Sequence, residues 1–361
     1  MYIVLDTNIF FNNWHLRNAE FARLIEHANS VAATILVSQV VIDEVNAKYG
    51  QHYSELQNDL TSLISRAKRL VPDRAIDWPV FASKEPYDLL ALLQSYFHSV
   101  EYASYEKIGH QRLVSKAIRE ERPFQKSEKG YRDALFWLTI LDFLDENRSD
   151  RHVAFITENK SDFFSSSKPE DLELHEHLKA DWRGKSFENK LFLYSKLSRF
   201  NDDQLSPSEQ IIDMEVFHDE YIELIEEGLS GAVREYLEGP GTLELLRKLC
   251  LASVIVEHSY WNILEGFEDT ELMQVVPLSN SLSYVLCRFN LRAIYISLTV
   301  ARDVYNAHKR DIDLTFQRVT TNGELMELEI GLRCYLTATA LINTKTSDIS
   351  AIDFEIERFR P

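Results

Sequence analysis

Residues 1–14 read MYIVLDTNIFFNNW. Four apolar-leaning side chains, Tyr2 to Leu5, run straight into Asp6, Thr7 and Asn8. An unbroken apolar run of that length suits a short strand buried on both faces, as the strands of parallel sheets are. Ending the strand on Asp6 delivers a carboxylate to the carboxyl edge of the sheet, where open α/β sheets bind their ligands. Working outward, TILV (34–37), VAFIT (153–157) and KLFLYSKL (190–197) read as further strands. Helical spacing lies between them at Phe21, Leu24, Ile25 and Ala28, then in a helix capped by Ser38 and running through Val45. A longer helix is expected from about Ser54 to Leu70, another stretch from about Tyr87, and an apolar helix at DALFWLTILDFL (133–144). Pro72, Pro79 and Pro86 break the chain after Leu70. The alternation predicts an α/β fold, a mostly parallel sheet flanked by helices on both faces.

The chain is 361 residues long, which favours two domains. Charge, Ser and Pro cluster in NDDQLSPSEQ (201–210), giving a first domain over 1–204 and a second over 205–361. The second opens with a very acidic helical segment, about Ser208 to Leu237, closed by GPG (239–241). DIDLTFQRV, TTNG and ELMELEIGLRCYLTATALI (311–342) then read as a β-hairpin turning at Asn322-Gly323, which makes this domain α+β. The chain is 45% hydrophobic and 27% charged, an ordinary globular balance. Its three cysteines, widely spaced and odd in number, make neither a disulfide framework nor a zinc signature. No apolar run approaches the ~20 residues of a membrane span, and the start lacks a basic region followed by an apolar one. The expectation is a cytoplasmic protein with no membrane partner.

A net charge of −18 argues against nucleic acid as a partner until its distribution is counted. Residues 1–200 hold 26 Lys and Arg against 29 Asp and Glu, whereas residues 201–361 hold 13 against 28. Local charge decides whether phosphates approach. Lys107 to Arg132 is a basic stretch, and Arg112, Lys116, Arg119, Lys126, Lys129 and Arg132 are its candidate nucleic-acid contacts. The alternative for this stretch is a solvated helix face.

Acids stand near the ends of the expected strands. Asp6 follows YIVL, Glu44 lies in the helix after TILV, and Asp133 heads the apolar helix. Asp162 comes five residues after VAFIT. Singly, each reads as a cap or turn residue. Brought together by a sheet they would repel one another, and their pKa values would rise. Mg²⁺ or Mn²⁺ relieves such repulsion and prefers such oxygen ligands. A metal pair held this way activates water and stabilises the leaving oxygen in phosphodiester cleavage.

VLDTN (4–8), VIDEV (41–45), YRDAL (131–135) and ITENKSDF (156–163), in that order, resemble the PIN-domain nuclease family. The likeness covers roughly residues 1–200 and implies a PIN-like fold and endonuclease activity, on RNA rather than DNA. It implies that Asp6, Glu44, Asp133 and Asp162 are catalytic acids that hold the metal. It further implies that Asn8, Thr157 and Asn159 orient those acids or water. Two departures stand out. About ninety residues separate Glu44 from Asp133, long beside small toxin members of the family, and Asn159 stands where many relatives place another Asp. Residues 205–361 lie outside the resemblance and are expected to bind protein, a regulator or a second copy.

Rival readings are a non-catalytic PIN-like nucleic-acid-binding or scaffold module, and a toxin-like or phage-defence effector that joins a nuclease to an acidic sensor. A haloacid-dehalogenase-type phosphatase also begins with a strand-end Asp but needs a second Asp where Asn8 stands. His175 and His177 in LHEHL read as surface residues, and Tyr96, Phe97, Tyr102 and Tyr105 as helix core or as stacking rings for unpaired bases.

Overall fold

The computed structural model describes residues 1–11, 13–70, 87–124, 129–166, 172–204, 214–237, 241–249, 251, 253–263, 266–279 and 281–360. The chain divides into two compact units, Met1–Leu16 with Leu24–Ser206, and Arg17–Arg23 with Pro207–Pro361.

Five short strands form a parallel sheet in the first unit: β1 (Tyr2–Leu5), β2 (Thr34–Ser38), β3 (Val100–Ala103), β4 (Val153–Ile156) and β5 (Leu191–Tyr194). Their spatial order is β3-β2-β1-β4-β5. β1 pairs on one side with β2, Val4 opposite Leu36, and on the other with β4, Val4 opposite Phe155. Successive strands are therefore laid down outward from the centre in two directions, which makes the carboxyl edge between β1 and β4 the switch point where a crevice opens. All residues of β1, β2 and β4 are buried, matching their continuous apolar runs.

Helix α1 (Ala19–Ser30) is divided between the units, its residues from Leu24 onward belonging to the first, whose other helices are α2 (Gln39–Leu70), α3 (Leu89–Tyr96), α4 (His110–Ile118), α5 (Tyr131–Glu146), the single turn α6 (Lys160–Phe163), α7 (Glu176–Gly184) and α8 (Leu197–Gln204). The expected apolar helix is α5. It buries Phe136, Trp137, Leu138, Ile140 and Leu141, and the rings of Phe136 and Trp137 each stand 5.8 Å from Phe155 of the sheet.

Two expectations are corrected in the first unit. The helix after β2 does not stop at Val45 but continues unbroken to Leu70. Gly50 weakens a helix interior by about 1 kcal/mol, yet Tyr49 beside it stacks 4.2 Å from Tyr87 and meets Trp14 edge-on at 5.8 Å. Tertiary packing there outweighs propensity. Strand β3 had no sequence signal, because an edge strand that carries Glu101 and Tyr102 shows no apolar run.

The second unit contains α9 (Met214–Leu237), α10 (Gly241–Lys248), β6 (His258–Ile263), β7 (Phe267–Ser279), β8 (Leu282–Ala301), α11 (Arg302–Thr315), β9 (Arg318–Asn322), β10 (Leu325–Asn343) and β11 (Asp348–Arg360). Its sheet is antiparallel in the order β11-β10-β8-β6, with β7 also on β8 and β9 on β10. β10 alternates buried and half-buried positions along nearly all its length, as a strand with two unlike faces must. The hairpin turns at Asn322 and Gly323 as expected, with Gly323 at φ 63°. DIDLT, however, belongs to α11 and not to the incoming strand. Every fourth residue of α9, from Phe217 through Tyr221, Ile225, Leu229 and Val233 to Leu237, is buried in the core of this unit, leaving its acids on the other faces. Among the described residues no helix is long and apolar enough to cross a membrane.

Candidate active site

β1 ends and the chain enters a single tight helical turn, Thr7–Ile9, with Asp6 as its N-cap. Asp6 is only 6% exposed. One carboxylate oxygen accepts the Thr7 amide at 2.7 Å, and the other accepts the Thr157 hydroxyl at 2.6 Å and the Asn8 side-chain amide at 3.1 Å. Thr157 is fully buried immediately after β4, so this bond ties together the two strands that flank the switch point. Asn8 also accepts the Glu158 amide at 3.2 Å. Asn8 and Thr157 therefore hold Asp6 in one orientation.

The other acids arrive from neighbouring elements. Glu44 projects from the second turn of α2, and its carboxylate accepts the Thr7 hydroxyl at 3.3 Å. Asp133 lies in the first turn of α5, where the helix N-terminus favours negative charge. Asp162 lies in α6. Asn159 donates to both of these aspartates, at 3.1 Å to Asp133 and 2.9 Å to Asp162, and so bridges two carboxylates with one amide. Asn159 thus supplies a donor where another acid would add a charge.

Burial pushes the Asp6 carboxyl up to about 6, opposed by its bonds from Thr157 and Thr7 and reinforced by the charges of Asp133 and Glu44. Asp133 is raised as well, first by burial and then by the charge of Asp162, with Glu44 adding to it. Asp6 thus feels Asp133 and Glu44, and Asp133 feels Asp162 and Glu44, the repulsion expected where carboxylates crowd together.

Two arginines compete for the outer acids. Arg132 forms an ion pair with Glu44, and Arg122 stands 3.6 Å from Asp162 while donating to the Ser161 carbonyl at 3.1 Å. Among the described residues no group of three or more His, Cys, Asp or Glu side chains is placed to hold a metal ion. The donor set is nevertheless all oxygen and anionic, which suits a hard divalent cation. Such a cation and the two guanidinium groups seek the same carboxylates.

The basic stretch is placed less simply. Arg112 pairs with Asp142 at 2.7 Å and Arg119 with Glu121 at 3.0 Å. Lys116 is 5% exposed and held by Asp181 at 2.8 Å and Glu121 at 3.2 Å, out of reach of a phosphate. Lys129 is exposed, Arg132 is at the crevice, and Lys126 lies outside the described residues. The residues that sequence reading did not place at the site are Arg122, His175 and His177. The Arg122 amide donates to His177 Nδ1 at 3.0 Å, and His175 Nε2 lies 3.3 Å from the Ser161 carbonyl. Of the LHEHL pair, read as surface, His177 is exposed and meets Arg122, whereas His175 reaches the turn that carries Asp162, a partner its sequence context did not show. Phe97 is buried core, whereas Tyr105 lines a cleft of about 530 Å³ that opens beside Glu44 between α2 and α5.

Residues 3–163 match the family model of the PIN domain. No curated protein and no solved structure matches the chain.

Proposed function

Because residues 3–163 match the family model of the PIN domain, we propose that the protein is a divalent-metal-dependent endonuclease that hydrolyses phosphodiester bonds in RNA. PIN domains are generally nucleases that use divalent metals such as Mg²⁺. The observation that carries the reading is the approach of Asp6, Glu44, Asp133 and Asp162 to one crevice, tied together by the bonds of Thr7, Thr157 and Asn159, with Asp6 and Asp133 raised first by burial and then by neighbouring carboxylates.

On this reading the four acids hold Mg²⁺ or Mn²⁺, and the bound cation supplies Lewis-acid stabilisation and an activated water. The chain's own residues do the rest. Thr157, Asn8 and the Thr7 amide fix the Asp6 carboxylate, and Asn159 fixes Asp133 against Asp162. Such supporting bonds commonly change metal affinity or activity 10- to 100-fold, roughly. Arg132 and Arg122, now paired with Glu44 and Asp162, would meet phosphate oxygens once those carboxylates held a cation. RNA is preferred over DNA on the family's habit alone.

One observation favours the second reading, a non-catalytic nucleic-acid-binding or scaffold module: Glu44 and Asp162 already face arginines. A single assay separates the two. Single-stranded RNA, duplex RNA and single-stranded DNA are incubated with the protein in Mg²⁺, Mn²⁺ or EDTA. The expected outcome is cleavage of RNA in either metal, none in EDTA, and a loss of at least about 100-fold in Asp6→Asn and Asp133→Asn. Full activity in both variants, or none in the parent with either metal, refutes it.

A further inference from the structure

The cleft beside Glu44 shares a wall with the acidic crevice, since Glu44 and Arg132 line both. Carbon comes from Val40 and Ala47 of α2, Leu135 of α5 and the rings of Tyr105 and Tyr131, and Asp43 adds a second carboxylate. The Tyr105 hydroxyl is tied to Asp43 at 2.9 Å, which fixes that ring as a wall. Tyr131 is different. It is 46% exposed, its ring meets Phe124 edge-on at 6.5 Å, and it precedes Arg132 and Asp133 in the same helical turn. Lys48 and Gln51 add polar groups to the lining. A volume of about 530 Å³ falls within the range of sites that enclose small organic ligands.

We propose that this cleft is a base-binding subsite: it receives one unpaired nucleobase of a single-stranded RNA whose adjacent phosphate meets the acids, with Tyr131 as the stacking ring. The inference rests on the endonuclease reading and adds to it the cleft and the ring that hold the base. A flat heterocycle has a face for Tyr131 and an edge for Lys48 and Gln51, and its own backbone carries the phosphate to the shared wall. A base in a duplex is paired and stacked, and leaving the stack is unfavourable. Duplex RNA is therefore excluded by the cleft and not by the acids.

The test is binding by the full-length Asp6→Asn protein in Mg²⁺, read by fluorescence anisotropy with a short single-stranded RNA, the same strand made abasic throughout, and its duplex. The intact strand should bind about tenfold more tightly than the abasic strand or the duplex, the size of one stacked base. Adding Tyr131→Ala should remove that advantage, whereas Tyr131→Phe keeps it within twofold, roughly. Circular dichroism of the alanine variant confirms that an exposed ring has been removed from an intact fold. Equal binding of intact and abasic strands, equal binding of the duplex, or an unchanged affinity in Tyr131→Ala overturns the subsite. If the parent protein still cleaves RNA in metal, only the subsite falls; if it neither binds nor cleaves any nucleic acid, the endonuclease reading falls with it.

Discussion

Asp6 stores a conflict between solvation and function. Its carboxyl titrates at about 6 in the folded protein against 3.8 in the open chain, mainly because burial disfavours the ionised form. Between those two values the native state keeps a proton that the unfolded state has released, so stability must fall as pH rises. The whole effect amounts to about 3 kcal/mol, complete above the folded value. We expect the metal-free protein in EDTA to lose melting temperature between pH 4 and pH 6.5, roughly, and Asp6→Asn to lose less. At pH 7.5 the variant should be at least as stable as the parent, the gain being trimmed because an asparagine amide would face the Asn8 amide. Thermal melts of the two proteins across pH check this; parallel curves would remove the buried charge from the account. The acids at positions 6, 44, 133 and 162 were legible because each sits at a fixed offset from a strand or helix signal. The pairing of Lys116 with Asp181 was not, since its partner lies 65 residues away and a run of basic residues reads the same whether it faces water or an acid.

At the scale of elements, one glycine fixes where the acids of α5 point. Gly130 caps that helix at φ 100°, and a Cβ there would lie 2.3 Å from the Pro123 carbonyl oxygen. Both the backbone angle and the collision with main chain exclude a side chain. Gly130→Ala should cost at least about 2 kcal/mol and shift Tyr131, Arg132 and Asp133 together, so that cleavage falls even at temperatures where the variant remains folded. Chemical denaturation paired with cleavage assays well below the midpoint tests this; a loss of stability with full activity would show that the helix start tolerates the shift. Sequence reading placed Asp133 at this helix start but did not see why the preceding residue had to be glycine, because the obstacle comes from the turn at Pro123. It likewise found β1, β2, β4 and β5, whose apolar runs are unbroken, and missed β3, whose stability comes from its one neighbour. The hairpin at Asn322-Gly323 was legible from the turn residues alone, whereas the end of α11 just before it was not, since DIDLT alternates like a strand.

Across the whole molecule, charge is divided as sharply as the fold. Residues 1–200 carry a net charge of −3 and residues 201–361 one of −15. Helix α9 sends one stripe of apolar side chains into its core and shows acids such as Asp219, Glu223 and Glu227 elsewhere. Exposed like charge repels phosphates over a Debye length of about 8 Å at physiological ionic strength. The second unit is therefore proposed to meet protein, a regulator or a second copy, and not RNA. Photo-crosslinking of full-length Asp6→Asn protein to single-stranded RNA should place every crosslinked peptide within residues 1–204. A crosslink in α9 would contradict that division.

The hydrogen bond between Thr157 and Asp6 also sets a schedule for the nascent chain. It spans 151 residues, and β1 has no neighbour on that side until β4 has been made. Contacts so distant in sequence form late, after the loop between them has closed. During translation Asp6 emerges before Thr157 and waits without its hydroxyl, its crevice or the aspartates that follow it. A polypeptide still threaded on its message, or released from a broken one before residue 157, has the first acid of the site but not the site. On the proposed endonuclease reading, the chain would in this way be silent toward the message that encodes it until β4 and the turn after it have been synthesised.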